Sequence, residues 1–259
     1  MIVAPQVEDR QLASPLGRSS PLTKLAIGLA WLALLLLAVD PRPAFVLVLA
    51  SAAGCLRLGA VPVRRFARAW LPFVVAALGV VVVNTLLGAA NLDASNPTLL
   101  RAGPLRITGA ALEVGIALGM RVLAVAATGV TFALTTEATR LADSLVAQAR
   151  VPERFAAGAL AAQQAVPRLA LDLATLRQAR RIRGLRGDWH PRILLALLVL
   201  AVRRAGRVAL AMDARGFANG MRPSRYRVVA WSSADLVVGV AGLGALALAA
   251  LSLAAPWSR

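Results

Sequence analysis

Two arginine residues, each followed by a glycine, are the side chains of this sequence best suited to recognise a charged partner. The first pair is Arg183 and Gly184, and the second is Arg215 and Gly216, 32 residues further on. A guanidinium is a rigid fork of N–H donors that matches the two oxygens of a carboxylate. The chemistry expected of these residues is recognition of an acidic group on a partner, not catalysis.

Both pairs are predicted to end a helix. Arginine is favourable near a helix C-terminus because the dipole is negative there, and the following glycine readily adopts the left-handed conformation that stops the helix. One such pair is a common helix ending and indicates little. Two pairs, at the ends of neighbouring basic helices, instead predict two arms that grip a soluble partner.

No catalytic or metal-binding residue is predicted. Cys55 and His190 are the only residues of their types, which makes a zinc site improbable. Lys24 is the only lysine and does not belong to a phosphate-binding Gly-x-x-x-x-Gly-Lys loop, so any ATP is expected to be bound by another subunit. The aspartates Asp172, Asp188 and Asp213 lie among arginines and are expected to form ion pairs.

The composition predicts a membrane protein with basic cytoplasmic parts. The 259 residues are 59% hydrophobic, with a mean hydropathy of +0.71 and a formal net charge of +17. Long apolar runs argue against a nucleic-acid-binding protein, and the basic region has few aromatic residues to stack on bases. The charge is instead typical of cytoplasmic loops that follow the positive-inside rule.

Five apolar runs are predicted to cross the bilayer, whose core takes roughly 20 helical residues. The loops between them alternate between basic and weakly charged, which places the N-terminus and the basic region in the cytoplasm. The runs are Leu25–Val39 (extended by 21–24), Ala44–Leu56, Leu71–Leu87, Val114–Phe132 within 107–136, and Leu236–Ala255.

The predicted fold class is all-α: a polytopic membrane protein with about five transmembrane helices and a cytoplasmic helical coupling domain inserted before the last span. The predicted organisation is a flexible cytoplasmic tail over 1–20, four transmembrane helices over 21–136, coupling helices over 137–230 and the last span over 231–259. Residues 64–68 are predicted to be a basic loop and residues 88–106 a polar loop.

Prolines 152, 167 and 191 are predicted to divide the coupling region into separate helices. The apolar stretch Ile193–Val202 is only about half a span long, so it is predicted to be a buried or interfacial helix.

Three polar residues are predicted inside the membrane: Asn84, Glu113 and Arg121. Polar groups are costly there and usually face other helices or a substrate path. The favoured interpretation is structural contact between helices. A substrate or ion site remains the alternative.

The paired motifs resemble those of the transmembrane T component of energy-coupling factor (ECF) transporters, the EcfT/CbiQ family. That family has two Ala-Arg-Gly motifs at the ends of cytoplasmic coupling helices. The second is complete here as Ala214, Arg215 and Gly216, whereas the first has Ile182 in place of alanine before Arg183 and Gly184. The Pro-Leu-Thr-Lys-Leu sequence at 21–25 is also similar.

The resemblance implies a non-catalytic scaffold in the cell membrane of a prokaryote. Two ABC-type ATPase subunits would bind ATP and the two coupling helices, and a separate membrane S component would bind a vitamin or transition-metal ion. This chain would bind no cofactor of its own and no nucleic acid.

Two other functions stay open at this point. An ordinary ABC permease subunit would line its own translocation path with Asn84, Glu113 and Arg121. A membrane-embedded enzyme such as a lipid transferase would need clustered acidic residues or histidines, which the sequence does not offer.

Overall fold

The computed structural model describes residues 11, 13–38, 40–91, 93, 96–102, 105–185, 187, 190–217 and 232–254. The chain divides into two compact units, one of residues 7–144 and 229–259 and the other of residues 1–6 and 145–228. We call the first the membrane unit and the second the arginine-rich unit.

Nearly all of the described chain is helical, which confirms the predicted all-α polytopic class. Four helices in this part of the chain are long and apolar enough to cross a bilayer, and a fifth apolar helix has 17 residues. The membrane unit contains α1 (Pro15–Arg18), α2 (Pro21–Leu37), α3 (Pro41–Ala53, continued by a π-helical turn, Gly54–Leu58), α4 (Val63–Leu87), α5 (Gly109–Thr135), α6 (Ala138–Ala147, whose last three residues fall in the arginine-rich unit) and α9 (Ser233–Ala254); the arginine-rich unit contains α7 (Glu153–Ile182) and α8 (Pro191–Ala214).

Helix α2 is the short apolar helix, and its packing is consistent with the predicted fifth span. At 1.5 Å per residue it is about 26 Å long, close to the thickness of the hydrocarbon core. Trp31 Nε1 donates to the Gly242 carbonyl of α9 at 3.0 Å, while Thr23 in the first turn of α2 donates to Asp235 in the first turn of α9. The first turn of α2 therefore contacts the first turn of α9, and the middle of α2 contacts the middle of α9. Helix α2 thus runs parallel to a helix that is long enough to cross the bilayer.

The core of the membrane unit lies where α2, α3, α5 and α9 meet. Many of its residues are small, which lets the helix backbones approach closely as is usual in membranes. The buried cluster consists of Trp31, Leu35, Ala44, Leu47, Ala124, Ala245 and Ala249.

Helices α4 and α5 pack through two glycines of α5 spaced four residues apart. A Cβ placed on Gly115 would lie 2.7 Å from the Thr85 hydroxyl and 3.0 Å from the Val81 carbonyl, and a Cβ on Gly119 would lie 2.4 Å from a Val81 methyl group. Only a residue without a side chain fits at either position. This spacing is typical of close helix contacts in membranes.

The predicted polar loop over 88–106 contains regular structure that the sequence analysis missed. A 3₁₀ turn at Ala89–Asn91 is followed by an antiparallel hairpin of β1 (Thr98–Ala102) and β2 (Leu105–Thr108). Asn91 accepts hydrogen bonds from both the backbone and the hydroxyl of Thr108, which caps α5. The hairpin therefore fixes the start of α5.

The predicted basic loop and the predicted flexible tail also differ from the structure. Residues 64–68 form the first turns of α4, because the backbone after Pro62 enters the helix at Val63 without a residue that would stop it. Residues 1–10 and 12 of the tail lie outside the described residues. Residues 13–20 include α1 and contain the buried side chains of Leu16 and Ser19.

In the arginine-rich unit, Pro167 lies inside α7 and does not end a helix, contrary to the prediction. Proline lacks only one backbone donor, and a long helix tolerates that loss when the rest of its hydrogen bonds continue. Pro191 does begin a helix, occupying the first position of α8 where its missing N–H is not needed. Pro152 precedes α7 as its N-cap residue.

The contact between α4 and α5 yields a stability prediction. Gly119→Ala is expected to destabilise the protein by ~1–3 kcal/mol, because the new methyl group overlaps Val81. Thermal unfolding in detergent, followed by size-exclusion chromatography, measures the effect. Gly129→Ala is the matched control on the same helix, where a Cβ meets nothing within 4 Å; equal unfolding temperatures for the two variants would contradict the packing described.

Candidate functional site

Helices α7 and α8 are joined by an ion pair between Asp172 and Arg204. One guanidinium nitrogen lies 2.6 Å from Oδ2 and the other 3.4 Å from Oδ1, so the two forks face each other. The side chains of Arg204 and Asp172 are 30% and 24% exposed, respectively. The expectation that Asp172 forms an ion pair is confirmed; Asp213 has no ion pair among the described residues, and Asp188 lies outside them.

The two predicted arginine–glycine helix endings have the same backbone geometry. Gly184 and Gly216 have φ values of +71° and +80°, in the left-handed region. The N–H groups of Gly184 and Gly216 donate to the carbonyls of the residues three positions earlier, Arg181 and Asp213. The N–H groups of the next residues, Leu185 and Phe217, donate to carbonyls five positions earlier, those of Arg180 and Met212. This double hydrogen bond is the Schellman motif, and it places Arg183 and Arg215 at equivalent C-cap positions.

The ion pair is equally far from both tips. Arg183 follows Asp172 by 11 residues, and Arg215 follows Arg204 by 11 residues. Each tip thus lies about 16 Å along its helix from the ion pair.

The tips are two separate points and not one combined site. If α7 and α8 ran parallel, the end of α7 and the start of α8 would lie roughly 35 Å apart, beyond the reach of about 30 Å for the nine peptide links between Ile182 and Pro191. The helices must therefore cross at a large angle or run antiparallel. Their C-terminal tips then point in different directions.

Every predicted member of the two tips is accessible. Arg183, Arg215 and Ala214 are exposed, and Gly216 is half-buried. Within the described part of the chain, neither guanidinium has an ion-pair partner. Ile182 is 87% exposed, which is unusual for an isoleucine and leaves an apolar group at the first tip where the second has a methyl group.

The apolar stretch of α8 is not buried within this chain, which corrects one of the two predicted alternatives for Ile193–Val202. Ile193 is buried, but most of the leucine and valine side chains that follow it are exposed. Contiguous apolar surface of this kind marks contact with a partner or a membrane. The exposed residues of α8 include Leu194, Leu195, Leu198, Val199, Val202 and Leu210.

The three intramembrane polar residues do not converge. Asn84 donates to the Val80 carbonyl of its own helix at 2.9 Å, and Arg121 donates to the Ala38 carbonyl at the end of α2. Glu113 is exposed on α5. No described contact links the three side chains, and the described residues contain no group of three or more histidine, cysteine or acidic residues able to hold a metal ion.

Comparison with known proteins now bears on this arrangement. A family of cobalt transport proteins, CbiQ, matches residues 13–226, a range that includes both tips and all three intramembrane polar residues. The chain belongs to the CbiQ family. A CbiQ protein is a membrane transport protein, in agreement with the apolar helices found here.

A curated relative adds a second likeness. The CbiQ chain is 33% identical over 92 residues to a protein of Listeria innocua serovar 6a described as the energy-coupling factor transporter transmembrane protein EcfT. The match covers 31% of this chain and 35% of the relative. The chain therefore spans about a third of the length of the curated relative it matches.

Two polar contacts of this CbiQ protein escaped the sequence analysis. Asp235 is a buried carboxylate at the start of α9. Lys24, at the start of α2, donates to the backbone carbonyls of Leu16 and Thr135. The sequence signal for Asp235 is Ser232-x-x-Asp235 before an apolar run, a variant of the capping box. Each residue also has a partner more than 100 positions away on the chain, which no local pattern reveals: Thr135 for Lys24, and Ser20 and Thr23 for Asp235.

The ion pair yields a prediction on the spacing of the tips. Spin labels on Ile182→Cys and Ala214→Cys, in a Cys55→Ala background, should give a narrower distance distribution with Arg204 present than with Arg204→Ala. Removal of the Arg204 guanidinium should loosen the contact between α7 and α8, since an exposed ion pair stabilises such a contact by up to about 1 kcal/mol. Pulsed electron paramagnetic resonance measures the distribution.

Arg207→Ala is the control for this measurement, because Arg207 is an exposed arginine on the same helix one turn away. It should leave the distribution unchanged. An equal broadening by both variants, or by neither, would show that the ion pair does not set the spacing.

Proposed function

We propose that this chain is the energy-coupling transmembrane component of an ECF-type importer. Two ABC-type ATPase subunits bind the two tips, Ile182–Gly184 and Ala214–Gly216, and a separate membrane S component binds the transported vitamin or transition-metal ion. ATP is bound by the ATPase subunits, and this chain holds no cofactor. The observation that carries the proposal is the pair of equivalent, exposed arginine tips placed at equal distance from one ion pair.

The geometry of the tips supports one ATPase on each. Because the tips point in different directions, two copies of the same subunit can bind them without overlapping. At each tip the Schellman turn holds the arginine at the last position of the helix, where the guanidinium can enter a groove and pair with a carboxylate. Equivalent backbone geometry lets identical subunits use the same groove twice.

Charge and exposed surface support the remaining partners. The apolar faces of α2 to α5 and α9 suit the lipid bilayer, and the apolar face of α8 suits the S component or the membrane surface. Arginines at the start of α4 and throughout α7 and α8 favour the cytoplasmic side. This orientation, with α2 and α9 parallel, supports a cytoplasmic N-terminus in a prokaryotic cell.

The proposal excludes an enzymatic role for this chain itself, and it differs from an ordinary permease. A permease that lines its own path would gather its polar residues around one pore. Here Asn84 and Arg121 donate to backbone carbonyls, and Glu113 is exposed on α5. These contacts favour a structural role for Asn84 and Arg121.

The tips generate a binding prediction. An Arg183→Glu, Arg215→Glu double variant should lose co-purification of the ATPase subunits, because each reversal sets two negative charges against each other. Removal of one partner from a buried charge pair costs about 2–5 kcal/mol, so each single variant should weaken assembly at least about 30-fold. Affinity purification and quantification of bound ATPase measure the loss.

The matched control is Arg207→Glu, which reverses an exposed charge on α8 away from either tip. It should retain the ATPase subunits. Unchanged assembly in the double variant would refute the coupling role, and a loss in the control alone would assign the contact to the helix face and not to the tips. Of the two single variants, Arg183→Glu is expected to have the smaller effect if Ile182 already holds the first tip less deeply in its groove.

A further inference from the structure

The start of α2 contacts the two segments of the membrane unit that connect to the arginine-rich unit, one before the chain leaves the membrane unit and one after it returns. The arginine-rich unit comprises residues 145–228 together with 1–6, so the chain leaves the membrane unit within α6, after Ser144, and returns to it before α9. The contacts involved all lie within the membrane unit. They join residues 20–24 to two segments that are distant in sequence.

The outgoing connection is held by Lys24. Its ammonium group donates to the carbonyl of Thr135, the last residue of α5, at 2.8 Å, and to the carbonyl of Leu16 at 2.9 Å. A cation is favourable at this point, because the carbonyls of a helix C-terminus carry the negative end of its dipole. Arg140 of α6 also holds this connection, because it donates to the Gly17 and Arg18 carbonyls at the end of α1.

The returning connection is held by Asp235. One carboxylate oxygen accepts the backbone N–H of Ser232 at 2.8 Å and so caps α9. The other accepts the Thr23 hydroxyl at 3.1 Å and the backbone N–H of Ser20. The side chain is only 5% exposed, so this one carboxylate closes the N-termini of two parallel helices away from water.

We propose that Ser20, Thr23 and Lys24 form a joint that fixes the two chain connections to one turn of α2, and that displacement of the arginine-rich unit reaches the membrane helices through this joint. The second half of the proposal rests on the proposed function; the first half does not. Lys24 and Asp235 are positioning residues, since they act on the connections and not on a substrate. They are suited to this role because a buried hydrogen-bonded charge is held more rigidly than an apolar contact.

The first test uses the isolated chain in lipid nanodiscs. Spin labels on Asp143→Cys of α6 and Leu236→Cys of α9, both in the membrane unit and in a Cys55→Ala background, report the separation of the two connections. The wild-type joint should give one narrow distance distribution. Lys24→Met should broaden the distance distribution about twofold, because the end of α5 is no longer held. Lys24→Arg keeps the cation and should give a distribution as narrow as that of the wild type.

The matched control is Arg121→Met, which removes another cation from the C-terminal end of a helix in the same unit but not at either connection. It should leave the distribution unchanged. If Lys24→Met fails to fold, Thr23→Val removes only the hydroxyl donor to Asp235 and is expected to broaden the distribution to a smaller extent. A distribution that stays narrow in every folded variant would overturn the joint.

The second test uses the chain with its co-purified ATPase subunits and measures hydrogen exchange with and without ATP and vanadate. In the wild type, ATP should change the exchange of α2 and α9 peptides. In Lys24→Met that change should disappear while ATP hydrolysis continues and the unfolding temperature stays close to that of Arg121→Met. A purely structural role would lower the unfolding temperature and hydrolysis together.

The two tests separate the two proposals. If the wild-type chain captures no ATPase, the proposed function fails and the spin-label distances still decide whether the joint exists. If ATPases are captured and Lys24→Met keeps the ATP-dependent exchange of α2 and α9, the transmission through the joint is wrong while the coupling role stands.

Discussion

The ion pair between Asp172 and Arg204 joins α7 to α8 at a point equally far from the two arginine tips, and the proposed spacing of the tips depends on it. The side chains of α7 and α8 are mostly exposed, so little apolar burial fixes the angle between these helices. A bidentate pair is directional because two parallel hydrogen bonds must be satisfied at once. It can therefore fix an angle even though an exposed pair adds up to about 1 kcal/mol to stability.

A crossing held by one partly exposed ion pair would suit the movement that the proposed coupling role requires. A core of apolar side chains would lock α7 and α8 in one arrangement, since packed interiors resist deformation. One partly exposed ion pair instead keeps the tips apart while leaving the angle adjustable within a small energy range. The joint at residues 20–24 is the opposite case: Asp235 is buried and accepts several hydrogen bonds. Under the proposed function, movement of the loosely joined helices α7 and α8 would reach the membrane helices through the rigid joint at residues 20–24.

The sequence was sufficient to predict the features that depend on local pattern. Apolar runs predicted the membrane helices, and each Arg-Gly pair predicted a left-handed helix ending, because both signals lie within a few residues. Contacts between distant segments were not predictable in this way. Nothing near Asp172 identifies Arg204 as its partner, and nothing near Lys24 identifies the carbonyl of Thr135.

The local predictions failed where two tendencies compete. Pro167 was expected to end a helix, but the residues on both sides favour helix strongly enough to continue through it. Residues 88–106 were assigned to a polar loop for their asparagines, aspartate and proline, yet Thr98–Ala102 and Leu105–Thr108 pair with each other as a hairpin. Residues 13–20 were assigned to a flexible tail for their serines and prolines, while Ser14 and Ser19 bond to backbone carbonyls in a buried turn.

The measurement that tests the coupling role most directly is the subunit composition of the complex purified through this chain and analysed by native mass spectrometry. The account predicts one copy of this chain, two ATPase subunits and one small, separate membrane protein. Two copies of this chain with two ATPases and no further membrane protein would contradict it, because that is the composition of a permease that forms its own path.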